Sequence, residues 1–204
     1  MDQLPLFDDS RFETPLYRSI WLYRRSGTPD QAVRELLALV PPSYGNTCSV
    51  YTDVPGRFDM WVNLEAEIAR YRGGLLLLFS LKDIGRTKES ILRRASGLTG
   101  VEVVLSDCPA TMIFEKPKEN HLAFRIATDI YSTLDGWPGT DNEKSWPGRN
   151  YPEGWDELYV KWKKREVPTS ALEKISGVSH NTFYKMLNEY KKSPEGDIRT
   201  WRIG

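Results

Sequence analysis

Along this chain the spacing of apolar and polar positions changes period, and the changes mark out elements. Ser19–Arg24 (SIWLYR) is rich in aromatic and branched residues, the composition of a strand. Asp30–Val40 (DQAVRELLALV) puts apolar residues at 33, 36, 37 and 40, one face of a helix. Thr28-Pro29-Asp30 ahead of it offers a capping residue and a proline suited to a first turn. Thr47–Thr52 predicts a second strand, and Arg57 to Arg72 a helix that Gly73-Gly74 ends. Leu75–Phe79 (LLLLF) is apolar without a break, the mark of a strand buried on both faces. Thr87–Ser96 reads as a helix, Val101–Leu105 as a strand and His121–Leu134 as a further helix. Strands alternating with helices around an all-apolar strand predict an α/β fold, a parallel sheet flanked by helices.

The C-terminal part follows a different pattern. Trp155–Lys164, Thr169–Ser176 and Ser179–Tyr190 read as helices, the last two joined at Gly177-Val178, which is a helix-turn-helix pattern and predicts a small all-α domain. Gly177 suits the left-handed position that ends a helix. Val178 is expected to plug the gap between the helices, and Ser179 to cap the second one. Ala171, Leu172, Ile175, Phe183 and Leu187 have the spacing of a small core, which leaves His180, Asn181, Thr182, Tyr184 and Lys185 facing outward. Asp135-Gly136-Trp137-Pro138-Gly139 and Trp146-Pro147-Gly148 bracket a polar stretch that reads as a linker. The expected organisation is a flexible tail over 1–17, an α/β domain over 18–137, a linker over 138–154, a helix-turn-helix domain over 155–192 and a C-terminal tail over 193–204.

Charge narrows the partners. The chain of 204 residues has 28 Lys and Arg against 28 Asp and Glu, so binding nucleic acid by bulk charge alone is excluded. The balance is uneven: residues 149–204 hold 11 basic and 8 acidic side chains, which gives the C-terminal part the basic excess. The longest apolar run is the five residues Leu75–Phe79, far from the roughly 18 that a membrane span needs. With no apolar leader segment, a cytoplasmic protein without a membrane partner is expected. Cys48, Cys108, His121 and His180 are the complete set of cysteines and histidines and have no ligand spacing, so neither metal nor other cofactor is expected.

If the helix starting near 179 enters a major groove, Ser179, His180, Asn181, Thr182 and Tyr184 meet base edges, while Lys185 and Lys163–Arg165 meet phosphates. The run Trp155 to Tyr190 (WDELYVKWKKREVPTSALEKISGVSHNTFYKMLNEY) resembles the DNA-binding domain of serine recombinases of the resolvase/invertase type, most specifically in its GVS and TFYK segments. The family carries a Gly-Arg-Pro arm ahead of these helices. Gly148-Arg149-Asn150 keeps the arginine, which implies a minor-groove contact for Arg149, and departs at the proline.

Over roughly residues 18–134 the chain resembles the family's catalytic domain, a parallel α/β sheet whose serine attacks a DNA phosphodiester. Such a reaction adds negative charge in the transition state, and without a metal it needs arginines to hold the phosphate oxygens. The resemblance implies Ser26 as nucleophile after Tyr23-Arg24-Arg25, with Arg24, Arg57 and Arg86 on the phosphate. A competing register, counted back from Gln31, puts Gly27 at the nucleophile's place and leaves no serine there. Leu81-Lys82-Asp83-Ile84-Gly85-Arg86 matches the family's Asp-Arg-Leu-x-Arg turn at Arg86, with Lys82-Asp83 in place of Asp-Arg. A carboxylate where a guanidinium belongs repels phosphate, and loss of one such donor costs about 3–4 kcal/mol. Two versions stand open: an active recombinase that forms a phosphoserine link at Ser26, and a DNA-binding relative with impaired or lost strand exchange. Double-stranded DNA is the implied partner of both, and the family's long helix after the sheet implies a homodimer, but here that helix spans about four turns before Gly136-Trp137-Pro138 stops it, which removes much of the apolar seam such an assembly needs. Before the first strand, Gln3-Leu4-Pro5-Leu6-Phe7 resembles the peptide with which bacterial polymerases and repair proteins dock the sliding clamp, with Gln3, Leu4, Leu6 and Phe7 as anchors, and this leaves a third version open, an adaptor or regulator that binds the clamp.

Overall fold

A computed structural model describes residues 19–54, 56–71, 73–85, 87–133, 151 and 154–203. Four parallel strands form around the apolar runs: β1 (Ser19–Arg25), β2 (Thr47–Asp53), β3 (Gly74–Leu78) and β4 (Glu102–Leu105). Helices α1 (Asp30–Leu37), α2 (Asp59–Ile68) and α3 (Lys88–Gly97) lie between them in the chain, and α4 (Pro117–Thr133) follows β4. The C-terminal part holds α5 (Trp155–Lys163), α6 (Thr169–Ser176), α7 (His180–Lys192) and a fifth strand, β5 (Asp197–Arg202). The sheet order is β4-β3-β1-β2-β5, with β5 antiparallel to β2 and every other pair parallel. The chain is therefore an α/β protein with a five-stranded, mostly parallel sheet flanked by helices.

The alternation of side chains along each strand builds two cores. Trp21, Tyr23, Leu76 and Leu78 face α2, α3 and α4, and pack with Trp61, Leu64, Ile91 and Phe124. Ile20, Leu22, Leu75 and Leu77 face α1 and pack with Val33, Leu36, Leu37 and Val40. Leu75 to Leu78 have no exposure at all, which explains their unbroken apolar run. A third core of Tyr151, Trp155, Tyr159, Leu172, Phe183, Met186, Leu187 and Tyr190 belongs to the C-terminal helices.

Several expectations are corrected. Residues 193–204 are not simply a tail: six of them pair with β2, from Thr47 opposite Arg202 to Thr52 opposite Asp197. Trp201 packs half-buried against the α1-side core, and Gly196 makes the approach possible, because a Cβ there would collide with the Thr52 carbonyl oxygen. Helix α2 is shorter than the predicted 57–72, and α1 stops at Leu37, although Val40 is still buried. Pro29, not Thr28, is the residue before α1, and it supplies no side-chain cap. Gly177 takes the left-handed conformation at φ 62° as expected, but Val178 and Ile175 are exposed, so neither closes the core. Ser179 precedes α7 without capping a backbone amide; its hydroxyl meets that of Thr182 at 2.9 Å. Among the described residues, no helix is long and apolar enough to cross a membrane.

Candidate nucleic-acid interface

Parallel α/β sheets bind ligands beyond the carboxyl ends of their strands, where the strand order reverses. Here that place lies between β1 and β3. Ser26 stands on it, exposed, as the first residue after β1, its amide donating to the Asp53 carbonyl at 2.8 Å. Of the arginines expected around Ser26, the two that are described, Arg24 and Arg57, do not gather there. Arg24 follows Ile20 and Leu22 to the α1 side, where its Nη1 donates to Asp30 Oδ1 at 2.6 Å and its Nε to Thr52 Oγ1 at 3.2 Å. The guanidinium holds the Asp30 carboxyl below its ordinary range.

Arg57 is on the other side of the sheet and almost completely buried, at 2% exposure. Its Nη2 pairs with the Asp59 carboxylate, and its Nη1 faces the Tyr190 carbonyl at 3.2 Å and the Ser193 hydroxyl at 3.0 Å. The guanidinium also lies 4.3 Å from the centre of the Tyr190 ring. Arg57 thus ties α2 to the end of α7, and its charge already has a carboxylate partner. Asp83 accepts from the Ser80 amide at 3.1 Å and caps the short 3-10 turn Leu81–Ile84. Arg86 lies outside the described residues, as do Arg149 and the clamp-like residues Gln3, Leu4, Leu6 and Phe7.

Three carboxyls that sequence reasoning overlooked organise this junction. Tyr190 Oη is 2.6 Å from Asp59 Oδ1 and 2.5 Å from Asp156 Oδ1. One phenolic proton serves only one of these contacts at a time. Burial pushes the Asp59 carboxyl up, while the Arg57 guanidinium pulls it down and keeps it the charged partner of this pair. Asp53, at the end of β2, accepts from the amides of Met60 and Trp61 in the first turn of α2 at 3.1 and 3.0 Å, and from the Tyr23 hydroxyl at 2.9 Å. No local motif marks these residues, since Asp53, Asp156 and Tyr190 come from three distant segments.

Burial pushes Asp53 up to about 6, with Arg25 pulling the other way. The unfolded carboxyl titrates near ~3.9, so between these values the folded chain binds more protons than the unfolded one. This group favours folding most in acid, and that contribution is lost as pH rises through about 6. From pH 5 to 7.5 the loss is about 1 kcal/mol. His121, pushed down by burial, acts with the opposite sign in the same range. The diagnostic quantity is therefore the difference between wild type and Asp53→Asn. Urea midpoints at the two pH values are expected to favour acid more in the wild type, and a variant with unchanged pH dependence would refute the assignment.

The outward face of α7 is where polar groups are available. Phe183, Met186, Leu187 and Tyr190 are buried at helical spacing, and this turns His180, Asn181, Thr182, Tyr184 and Lys185 to solvent. His180 Nδ1 lies 2.7 Å from Glu173 Oε1 of α6, and its ring meets Tyr184 edge-on at 4.7 Å. Lys163 is exposed but bound to Glu195 at 2.7 Å, a pair that must loosen before it meets a phosphate. Lys164 and Arg165 are exposed beside it, and Lys191 lies 4.7 Å over the Trp162 ring. Fold and surface together define an α/β protein with a docked helical module that presents one polar helix face. No protein-family model matches this chain, and no curated protein matches it.

Proposed function

We propose that this chain is a DNA-binding protein of resolvase-like architecture, with impaired or lost strand-exchange chemistry. In this reading α6 and α7 form a helix-turn-helix, and α7 enters the major groove. The observation that carries it is the outward row of polar side chains on α7, opposite a fully buried apolar row. The engagement of Arg24 by Asp30 and of Arg57 by Asp59 favours the impaired version, because a guanidinium already neutralised stabilises phosphate charge poorly. The active-enzyme reading keeps one observation in its favour, the exposed Ser26 at the strand-order reversal.

Two measurements separate these readings. Lys185→Ala is expected to weaken duplex binding at all sequences and to lower the salt slope by about one. An unchanged slope removes Lys185 as a phosphate contact. On a nicked suicide duplex, wild type is expected to form no covalent adduct, and Ser26→Ala to give the same footprint as wild type. An adduct that disappears in Ser26→Ala would establish the enzyme instead.

A further inference from the structure

We infer that α7 reads the exocyclic amine of an adenine or cytosine through Nε2 of His180, with Glu173 as the positioning residue. The inference rests on the DNA-binding reading above and adds to it the chemistry of one base contact.

The argument starts from the 2.7 Å contact between His180 Nδ1 and Glu173 Oε1. An ionised carboxylate only accepts, so Nδ1 carries the hydrogen and donates it. In a neutral imidazole the other nitrogen then has the lone pair and accepts. Glu173 lies on α6 and His180 opens α7, so the bond spans the turn at Gly177 and sets the ring relative to both helices. Tyr184, one turn further along α7, touches the ring edge-on and limits its rotation. The His180 side chain is nevertheless 67% exposed, which leaves Nε2 available to a ligand.

The first residues of a groove-bound helix are those that meet base edges. In the major groove an acceptor finds donors only at adenine N6 and cytosine N4; guanine and thymine offer it acceptors alone. His180 should therefore favour adenine or cytosine at one position and disfavour guanine and thymine, where two lone pairs would face each other. For a single neutral hydrogen bond the preference is about five- to tenfold. Without Glu173 either ring nitrogen can carry the hydrogen, and the contact loses its sense.

The test uses the full chain on a randomised duplex library. Affinities are then measured for the four single-base variants at each selected position, at fixed salt and fixed pH. The expected result is one position with an adenine or cytosine preference that His180→Ala flattens there and nowhere else. Glu173→Ala should flatten the same position while leaving the salt slope and the other positions unchanged. Glu173→Gln, whose amide oxygen still accepts from Nδ1, should restore the preference at least in part. A guanine or thymine preference at the His180-dependent position overturns the inference. So does a preference that survives His180→Ala, or a Glu173→Ala effect spread evenly over all positions. If wild type selects no sequence and binds no duplex in a salt-dependent way, the DNA-binding reading itself fails, and this inference with it.

Discussion

Arg57→Ala is expected to lower folding stability by about 3–5 kcal/mol, the range for removing one partner of a buried ion pair. The physical reason is what the substitution leaves behind. Asp59 would remain buried beside Asp156 and the Tyr190 hydroxyl, without the cation that offsets its charge. The Ser193 hydroxyl and the Tyr190 carbonyl would lose the donor that fastens the end of α7 to α2. Urea denaturation is the measurement, and Asp59→Asn in the same chain should recover part of the loss, because the orphaned charge goes with it. A guanidinium held ready for a phosphate would behave differently. Its loss would leave stability within about 0.5 kcal/mol, as for most surface changes, and impair only DNA chemistry. The experiment thus decides between the role that sequence resemblance implies for Arg57 and the one its contacts support.

Removing residues 197–204 should have an effect of similar size. A solvated tail can be deleted almost without cost. Here the deletion strips a six-residue antiparallel ladder from β2 and uncovers the pocket in which Trp201 packs against the α1-side core. Loss of a packed tryptophan alone commonly costs about 3–5 kcal/mol, and this one, only half-buried, belongs toward the lower end. The bared edge of β2 would also offer unpaired amides and carbonyls to another chain. A lower unfolding midpoint together with concentration-dependent self-association is therefore expected. Gly196→Ala should reproduce the first effect in milder form by pushing β5 away from the Thr52 carbonyl. A truncated chain that unfolds at the wild-type midpoint would return the segment to the status of a tail.

These two segments show why some of the molecule was readable and some was not. DIRTWR has too little apolar content to announce a strand, and most of its side chains are exposed. Its order comes from backbone pairing with β2, which side-chain composition does not encode. Arg57 was expected on a phosphate, and its buried role was hidden because two of its partners, Tyr190 and Ser193, follow 133 and 136 residues later. Ile175 had the spacing of a core position and Val178 was expected between the helices, but both are exposed, and the core there includes aromatic side chains of α5 and Tyr151. By contrast, the outward set on α7 followed directly from the spacing of Phe183 and Leu187.

Periodicity alone determined the alternating strands and helices, the doubly buried β3 and the exposed face of α7, because burial acts on each segment through its own repeat of 2 or about 3.6 residues. Only the tertiary structure decided that β5 joins the sheet, that the helical module is tied to α2 through Arg57, Asp59 and Tyr190, and that Glu173 orients His180. Each of these rests on a contact between residues on different elements, or on backbone groups common to every residue. The free energy of such a contact depends on where the rest of the chain places its partners, and no local pattern carries that information.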